Sequence, residues 1–539
     1  MSMTVLEESK SAKGGAQDKP NALECAKSRI PRNLLSNVSS YAVNLVVGLT
    51  IAPIVVHGLG TTAYGVWSLV GDMIGYSTLL DLGIRIAVAR YTAWHHARGQ
   101  TREVNAILTT GLAFTMVSAL FLLVGGAVLA LNLARFFAVP PELVRPAQVA
   151  VMLVAAGVAI SFPGSLFTGC VSAVSRYDLL SIRNTSFVIC RALLLWIVIR
   201  SGGGIVAVAA ASLAAVVTGY LLDVIFARRV LPELHIERRY FDVSILKTLV
   251  NFSVYVSILS ISWRLLFMTD TLVVGFVLGP AVVTYYAVVT GLTTVLRDSL
   301  GTVGTLFAPL ASQMDALGER KSLQRLFLAG SRVGFAYVLT GVVALVILGP
   351  HFLGLWMGTA FVTGSGPILQ VLAVEVSFYA LSFTCAQVLY GTNKHRVYAW
   401  LSLSNAALNF TLSTILIRYW GPVGVAWGTV LPAFVVEAVV LPLYTARLVE
   451  VSARRFYVSS ILRPLSAAVP YALWLWFAIS HGLVAGYLSL AVTAASGAAL
   501  YAAMLWLIGL GNEEKHLVSR WLRGLVDWGR INLPWPEAD

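Results

Sequence analysis

Charge is the scarcest commodity in this sequence. Only 12% of its 539 residues are Asp, Glu, Lys or Arg, about half the share of an ordinary soluble chain. With 58% hydrophobic residues, water is excluded as the main solvent. Cysteine is rare too. Cys25, Cys170, Cys190 and Cys385 form no CxxC, so neither a disulfide frame nor a metal site is implied. The eight histidines fall at loops or at the ends of apolar runs, which argues against acyl-transfer chemistry built on a nucleophile and its base. No GxxxxGK[ST] loop occurs, so ATP does not drive work within this chain. The formal sequons Asn37-Val-Ser39 and Asn409-Phe-Thr411 lie inside apolar runs and carry no glycosylation signal. Residues 1–32 hold Lys10, Lys13, Lys19, Lys27, Arg29 and Arg32 but no apolar core. They do not read as a secretory leader and are expected to form a disordered cytoplasmic tail.

Long continuous apolar runs are abundant. Lipid offers the backbone no hydrogen-bond partner, so a spanning chain must be helical or a closed barrel. The runs do not alternate as barrel strands do, so the expected class is an all-α integral membrane protein. Cutting at charge clusters and Gly/Pro turns yields fourteen spans: 33–56, 63–92, 105–131, 146–173, 178–199, 204–227, 245–277, 282–309, 329–350, 364–391, 397–418, 422–446, 459–480 and 484–509. Each reaches the ~20 residues needed to cross a bilayer. Even-numbered gaps and their edges carry Arg98 and Arg102, Arg176, Arg228 and Arg229, Arg320 and Lys321, Lys394 and Arg396, and Arg454 and Arg455. Odd-numbered gaps carry only Arg135, Arg145, Arg200 and Arg418. Basic loops stay in the cytoplasm, so both termini are expected there, and the net charge of +13 reflects topology rather than nucleic-acid binding. In the tail, Leu517, Trp521, Leu525 and Trp528 recur at helical spacing among Arg520, Arg523 and Arg530, as expected of an amphipathic helix in the cytoplasmic interface.

The first half repeats in the second. Leu35-x-Asn37-x-Ser39-x-Tyr41 opens span 1, and Leu249-x-Asn251-x-Ser253-x-Tyr255 opens span 7. Leu59-Gly60 is echoed by Leu278-Gly279 at the far ends. Six spans separate the copies, an even number, so the repeat is parallel. The expected domains are a tail over 1–32, a six-helix lobe over 33–230, a second over 231–448, two further spans over 449–510 and the tail 511–539.

Several stretches resemble a known family. They are His57-Gly-Leu-Gly-Thr-Thr-Ala-Tyr-Gly-Val-Trp67, Leu79-Leu-Asp81-Leu-Gly83, Ala89-Arg90-Tyr91 and Phe352-Leu-Gly-Leu-Trp356-Met-Gly358. Most characteristic are Gln387-Val-Leu-Tyr-Gly391-Thr-Asn-Lys, then Asn405 and Asn409, then Tyr419-Trp-Gly421-Pro-Val-Gly424-Val-Ala426. Spans 1 to 12 resemble bacterial polysaccharide and oligosaccharide flippases, of the superfamily that also holds multidrug exporters and the lipid II flippase. The resemblance implies two pseudo-symmetric bundles around a V-shaped cavity lined mainly by spans 1, 2, 7 and 8. It implies alternating access in a bacterial inner membrane, with a polyprenyl-diphosphate-linked oligosaccharide turned from the cytoplasmic to the periplasmic leaflet, and neighbours such as a polysaccharide polymerase and export machinery. A cation-coupled multidrug or small-molecule antiporter is the alternative within the superfamily. A membrane-bound polysaccharide polymerase or transferase is the alternative from another class.

Charges inside spans cost roughly 2.5–3.5 kcal/mol or more unless they face protein or water, so each is a candidate site. Arg85, Arg191, Arg264 and Arg297 sit inside spans, as do Asp72, Asp81, Asp270, Asp298, Glu375 and Glu437. At ~1.5 Å per residue, Arg264 and Arg297 both lie about 20 Å from the periplasmic end. A guanidinium suits diphosphate oxygens through bidentate bonds. Arg264 and Arg297, with Arg191 and Arg85, are therefore the expected substrate-binding residues; the competing structural role for the first two is pairing with Asp270 or Asp298. Likeness to the lipid II flippase implies a sodium site from Asp270 in span 7, Asn405 and Asn409 on one face of span 11, and Thr429 in span 12. Asn409 is an amide where that family can carry a carboxylate. Glu375 and Glu437, mid-span, are candidate proton carriers. No carboxylate occurs in span 1, where proton-coupled drug exporters often keep one. No organic cofactor is expected; coupling to sodium ions or protons is.

Overall fold

The computed structural model describes residues 22–76, 83–304, 307–509, 511 and 515; over 22–35, 37–38, 252–263, 265–267 and 302–304 it describes the helical backbone alone. Those residues are helical almost throughout, with no strand among them. In chain order the helices are α1 (Ala22–Leu59), α2 (Thr61–Tyr76), α3 (Ile84–His96), α4 (Thr101–Phe136), α5 (Pro141–Ala173), α6 (Tyr177–Arg200), α7 (Ile205–Val230), α8 (Val243–Leu278), α9 (Pro280–Gly304), α10 (Phe307–Ala316), α11 (Arg320–Ile347), α12 (Gly349–Trp356), α13 (Thr359–Gly391), α14 (His395–Ala433), α15 (Leu441–Leu448), α16 (Ala453–Tyr457), α17 (Arg463–Ser480) and α18 (Tyr487–Met504).

Ten stretches among the described residues are long and apolar enough to cross a membrane. One of them, 395–448, is two crossings. Gly421 takes φ 58° and ψ −142° inside it, backbone geometry that glycine adopts without steric cost. Beyond it the chain returns on itself. A Cβ on Gly424 would lie 2.2 Å from the Leu416 carbonyl oxygen, and one on Gly428 would lie 2.4 Å from Ser413 Oγ, contacts that only an antiparallel helix pair makes. Adding α2 with α3, α8, and α9 makes fourteen, the expected number.

Two expectations need correction. Span 2, expected as one helix over 63–92, is two, α2 and α3, with Gly83 at φ 69° heading the second; residues 77–82, with Asp81, lie outside the described set. The expected disordered tail 1–32 is helical from Ala22 onward. Beyond these, the gap after span 9, for which the sequence carried no expectation, holds α12. The interfacial helix expected over 512–530 lies outside the described residues apart from Lys515.

The repeat has a structural counterpart. Gly60 at φ 80° and Gly279 at φ 85° break the chain between α1 and α2 and between α8 and α9, so the same Leu-Gly pair makes the same turn in each copy.

Core packing places the two lobes. At the face opposite the basic loops a single cluster joins both halves: Val56, Val66 and Leu69 pack with Val274, Val283, Tyr286, Leu353 and Val425. At the basic face the core divides. Ile84, Leu108, Leu166 and Ala227 form one cluster, and Ala311, Leu323, Cys385 and Phe456 another. The lobes therefore touch at one face and part at the other, a V open to the basic side. Leu249, near the start of α8, packs in the first lobe's cluster, whereas the far end of α8 packs with α9. α8 thus crosses the gap.

The closed face is tight. A Cβ on Gly65 would lie 1.7 Å from the Pro280 carbonyl oxygen. Trp356 Nε1 donates to the Leu49 carbonyl at 2.7 Å, and a ring nitrogen of His57 lies 3.0 Å from that of Met357. Overpacking costs typically 1–3 kcal/mol, so Gly65→Ala is expected to open this face. Thiol labelling of Val283→Cys, a position with no exposure in the closed form, should accelerate about tenfold or more in the Gly65→Ala background.

Candidate functional site

α2 and α8 meet across the lobe boundary just on the open side of the shared core. Tyr76, the last residue of α2, shares a hydrogen bond with Thr269 Oγ1 at 2.6 Å, and a Cβ on Gly75 would lie 3.1 Å from Met268. Arg264 sits one turn before Met268 on α8, half-buried, with Nη1 3.4 Å from Met268 Sδ. No carboxylate pairs with it among the described residues. The apex of the V thus carries a guanidinium that no acid among the described residues neutralises.

Arg297, expected beside it, is elsewhere. It is 8% exposed and forms an ion pair with Glu375 of α13, inside the second lobe. Neither Asp270 nor Asp298 supplies that ion pair. Sequence places Arg264 and Arg297 at one depth, but depth says nothing about which way a side chain points around its helix.

Arg191 lies in the first lobe, in a pocket of about 290 Å³ between α1, α2 and α6, lined also by Asn44, Tyr64 and Trp67. None of its lining residues is acidic, and the buried Nε of Arg191 has no hydrogen-bond partner. Arg85 is exposed on α3, its stem against Gly169 of α5. The structure therefore separates the four arginines: one at the apex, one in a first-lobe pocket, one exposed, one held by an acid.

The proposed ion ligands are brought together in part. Asp270, 4% exposed, accepts from Thr429 Oγ1 at 2.6 Å and from Tyr286 OH at 2.9 Å through Oδ2, and from Ser413 Oγ at 3.3 Å through Oδ1. Asn409 Nδ2 donates to Thr429 Oγ1 at 2.9 Å. Asn405 belongs to a second group: its Nδ2 donates to Glu437 Oε1 at 3.1 Å, while Ser382 Oγ donates to the other oxygen at 3.4 Å. The amide oxygens of both Asn405 and Asn409 are buried without a partner. Burying an acceptor unpaired costs about 1–3 kcal/mol. Asn409, Thr429, Tyr286 and Ser413 thus gather oxygen atoms around the Asp270 carboxylate, the ligand type hard cations take, while Asn405 stands apart with Glu437.

Tyr286, Ser413 and Ser382 were not singled out by sequence. Ser413 follows Asn405 and Asn409 at the same four-residue spacing, so a stripe along α14 was legible. Tyr286 and Ser382 carried no local signal, because their role depends on which helix faces them.

A helical, two-lobed chain with many apolar helices and with charged groups buried between and within its lobes is a multi-pass membrane protein. Comparison with known proteins narrows the class. The chain belongs to the polysaccharide biosynthesis protein family, whose model matches residues 30–315, more than half of its length. It is 23% identical over 509 residues to the uncharacterized membrane protein EpsK of Bacillus subtilis (strain 168), covering 93% of this chain and 99% of that one. It is 20% identical over 410 residues to a candidate O-antigen transporter of Shigella flexneri, covering 74% and 93%. The fold is that of the lipid II flippase MurJ in an inward closed conformation, with a TM-score of 0.65 at 12% identity over 91% of this chain and 99% of that one.

Proposed function

We propose that this chain turns a polyprenyl-diphosphate-linked oligosaccharide from the cytoplasmic to the periplasmic leaflet of a bacterial inner membrane by alternating access. The observation that carries the reading is the Arg264 guanidinium, unpaired among the described residues, at the apex of a V open to the basic face. The positive-inside bias makes that face cytoplasmic, so the cleft opens where a lipid-linked precursor is assembled. Arg264 receives the diphosphate through charge-assisted bonds. Arg191 offers a second guanidinium at the other lobe's pocket, and Arg85 one nearer the entrance. Arg297 serves from behind, its charge held by Glu375. Membership in a polysaccharide biosynthesis family supports a glycan cargo, and the names borne by relatives, O-antigen transporter and lipid II flippase, support a lipid-linked one. A polysaccharide polymerase and export machinery would take the product onward.

Deleting the gene and quantifying polyprenyl-diphosphate oligosaccharides together with surface polysaccharide tests the reading. Accumulated lipid-linked intermediate with loss of surface polymer is the expected result. Unchanged intermediates and polymer, with new sensitivity to cationic toxic compounds, would assign the chain to the multidrug antiporters instead.

Coupling is assigned to the Asp270 group, with sodium the ion its oxygens suit and Glu375 and Glu437 the alternative proton carriers. In vesicles, Asp270→Asn should abolish stimulation of transport by an imposed gradient and lower the stimulated rate about tenfold or more, the scale of one bond to a charged group. Retained stimulation by a sodium gradient would remove Asp270 from the coupling step.

A further inference from the structure

α4 and α7 both pack on α5, and between them the outer face of α5 is left as the floor of a groove. Two hollows, of about 430 and 590 Å³, share Met116, Pro163 and Tyr220 and so are continuous. Small residues keep the floor low: Ala156 and Ala159 line it on α5. The groove runs from Thr109 to Leu123 along α4. At 1.5 Å per residue that is about 21 Å, more than the ~15 Å depth of one hydrocarbon leaflet. Its deep part is wholly apolar but for Tyr220.

Its mouth is different. It lies at the basic face, under the segment 231–242 that joins the two lobes, and is lined by Arg238 and Glu237. That segment is stitched to α4. Thr101 Oγ1 donates to Glu233 at 2.6 Å, Asn105 Nδ2 donates to the Glu233 carbonyl at 3.1 Å, His235 N donates to Asn105 Oδ1 at 3.0 Å, and Asp242 N donates to Thr110 Oγ1 at 3.1 Å. Each polar side chain in this stitching is thereby used. Thr109, beside Thr110, is not: it is 8% exposed, it lines the mouth, and its hydroxyl has no partner. Glu237 is paired with Arg239 at 2.8 Å, which leaves Arg238 unpaired among the described residues. Ile236, Phe241 and Val243 are 48%, 45% and 67% exposed around it, as suits a segment lying in the membrane interface.

We propose that this groove binds one anionic phospholipid of the cytoplasmic leaflet. An acyl chain fills the apolar trough, the phosphate lies against Arg238, and Thr109 donates its hydroxyl to an ester or phosphate oxygen. A neutral zwitterionic lipid fills the trough equally well but gains less from the cation. The lipid lies on the outer side of the first lobe, beneath the segment that links the lobes, so the site is separate from the transport path and stands whatever molecule is carried.

The purified full-length chain, titrated with phosphatidylglycerol and with phosphatidylcholine and read by native mass spectrometry, tests this. One phosphatidylglycerol per chain is expected, held about fivefold more tightly than phosphatidylcholine, because a single juxtamembrane arginine attracts anionic lipid on that scale. Arg238→Glu, in an exposed segment, should erase the preference. Thr109→Val, which keeps the side chain's shape, should weaken phosphatidylglycerol severalfold. Ala159→Phe should displace both lipids, and Ala159→Ser, which leaves the trough open, should not. Equal binding of the two lipids by the unaltered chain overturns the proposal. So does undiminished phosphatidylglycerol preference in Arg238→Glu, or displacement of the lipid by undecaprenyl phosphate at equal concentration, which would make the groove a substrate site.

Discussion

Arg264→Ala is expected to reduce transport of the lipid-linked oligosaccharide by about ten- to a hundredfold while leaving the protein folded. A hydrogen bond to a charged group contributes about 1.5–3 kcal/mol, and a guanidinium engages a phosphate through two. The side chain contributes little to the fold, since among the described residues its side-chain polar contact is a thioether at 3.4 Å. Its removal relieves an unneutralised charge, so the thermal midpoint should hold or rise. Arg264→Lys keeps the charge but not the bidentate geometry and should retain an intermediate rate. Accumulated lipid-linked intermediate in a strain carrying each variant, compared with surface polymer, reads the effect. An alanine variant that restores surface polymer fully would make Arg264 a packing residue.

The opposite behaviour is expected at Glu375. It is 1% exposed and is the salt-bridge partner of Arg297. Glu375→Ala leaves that guanidinium buried without its carboxylate, and breaking a buried pair from one side costs about 3–5 kcal/mol. Glu437 is within electrostatic reach, but its own oxygens are occupied by Asn405 and Ser382. The midpoint of unfolding in detergent should therefore fall sharply. Replacing both partners, Arg297→Met with Glu375→Leu, should recover most of the loss, because well-packed apolar residues often substitute for a buried pair at little cost. Transport should not recover with it if Arg297 supports the substrate from behind. A double variant as unstable as Glu375→Ala would place the cost in lost shape rather than in an orphaned charge.

These two arginines show where sequence reading stops. On the chain they look alike, each mid-span and each about 20 Å from the same membrane face by helical rise. In the fold one stands at the lobe boundary and the other is clasped within a lobe. Azimuth around a helix is set by the neighbours that the helix packs against, and those neighbours are distant in sequence: Glu375 is 78 positions from Arg297. The same reason hid Tyr286 and Ser382. It also divided Asn405 from Asn409, which share a helix face but meet different acids, because the returning helix presents Thr429 to one and Glu437 to the other.

What the sequence determined by itself was everything governed by solvent. Long apolar runs with charges confined to alternate gaps dictated fourteen crossings and which ends of the helices share a face, because lipid tolerates neither open backbone nor stray charge. The paired Leu-Gly turns announced the duplication, because only a glycine takes a positive φ there at no cost. Tertiary structure alone decided that the lobes close at one face and part at the other, that Arg264 is the guanidinium left at the apex, and that a groove with an unsatisfied Thr109 lies under the linker. These depend on which surfaces of distant helices meet. Packing of that kind is fixed by shape over hundreds of residues, and no local pattern of residue types records it.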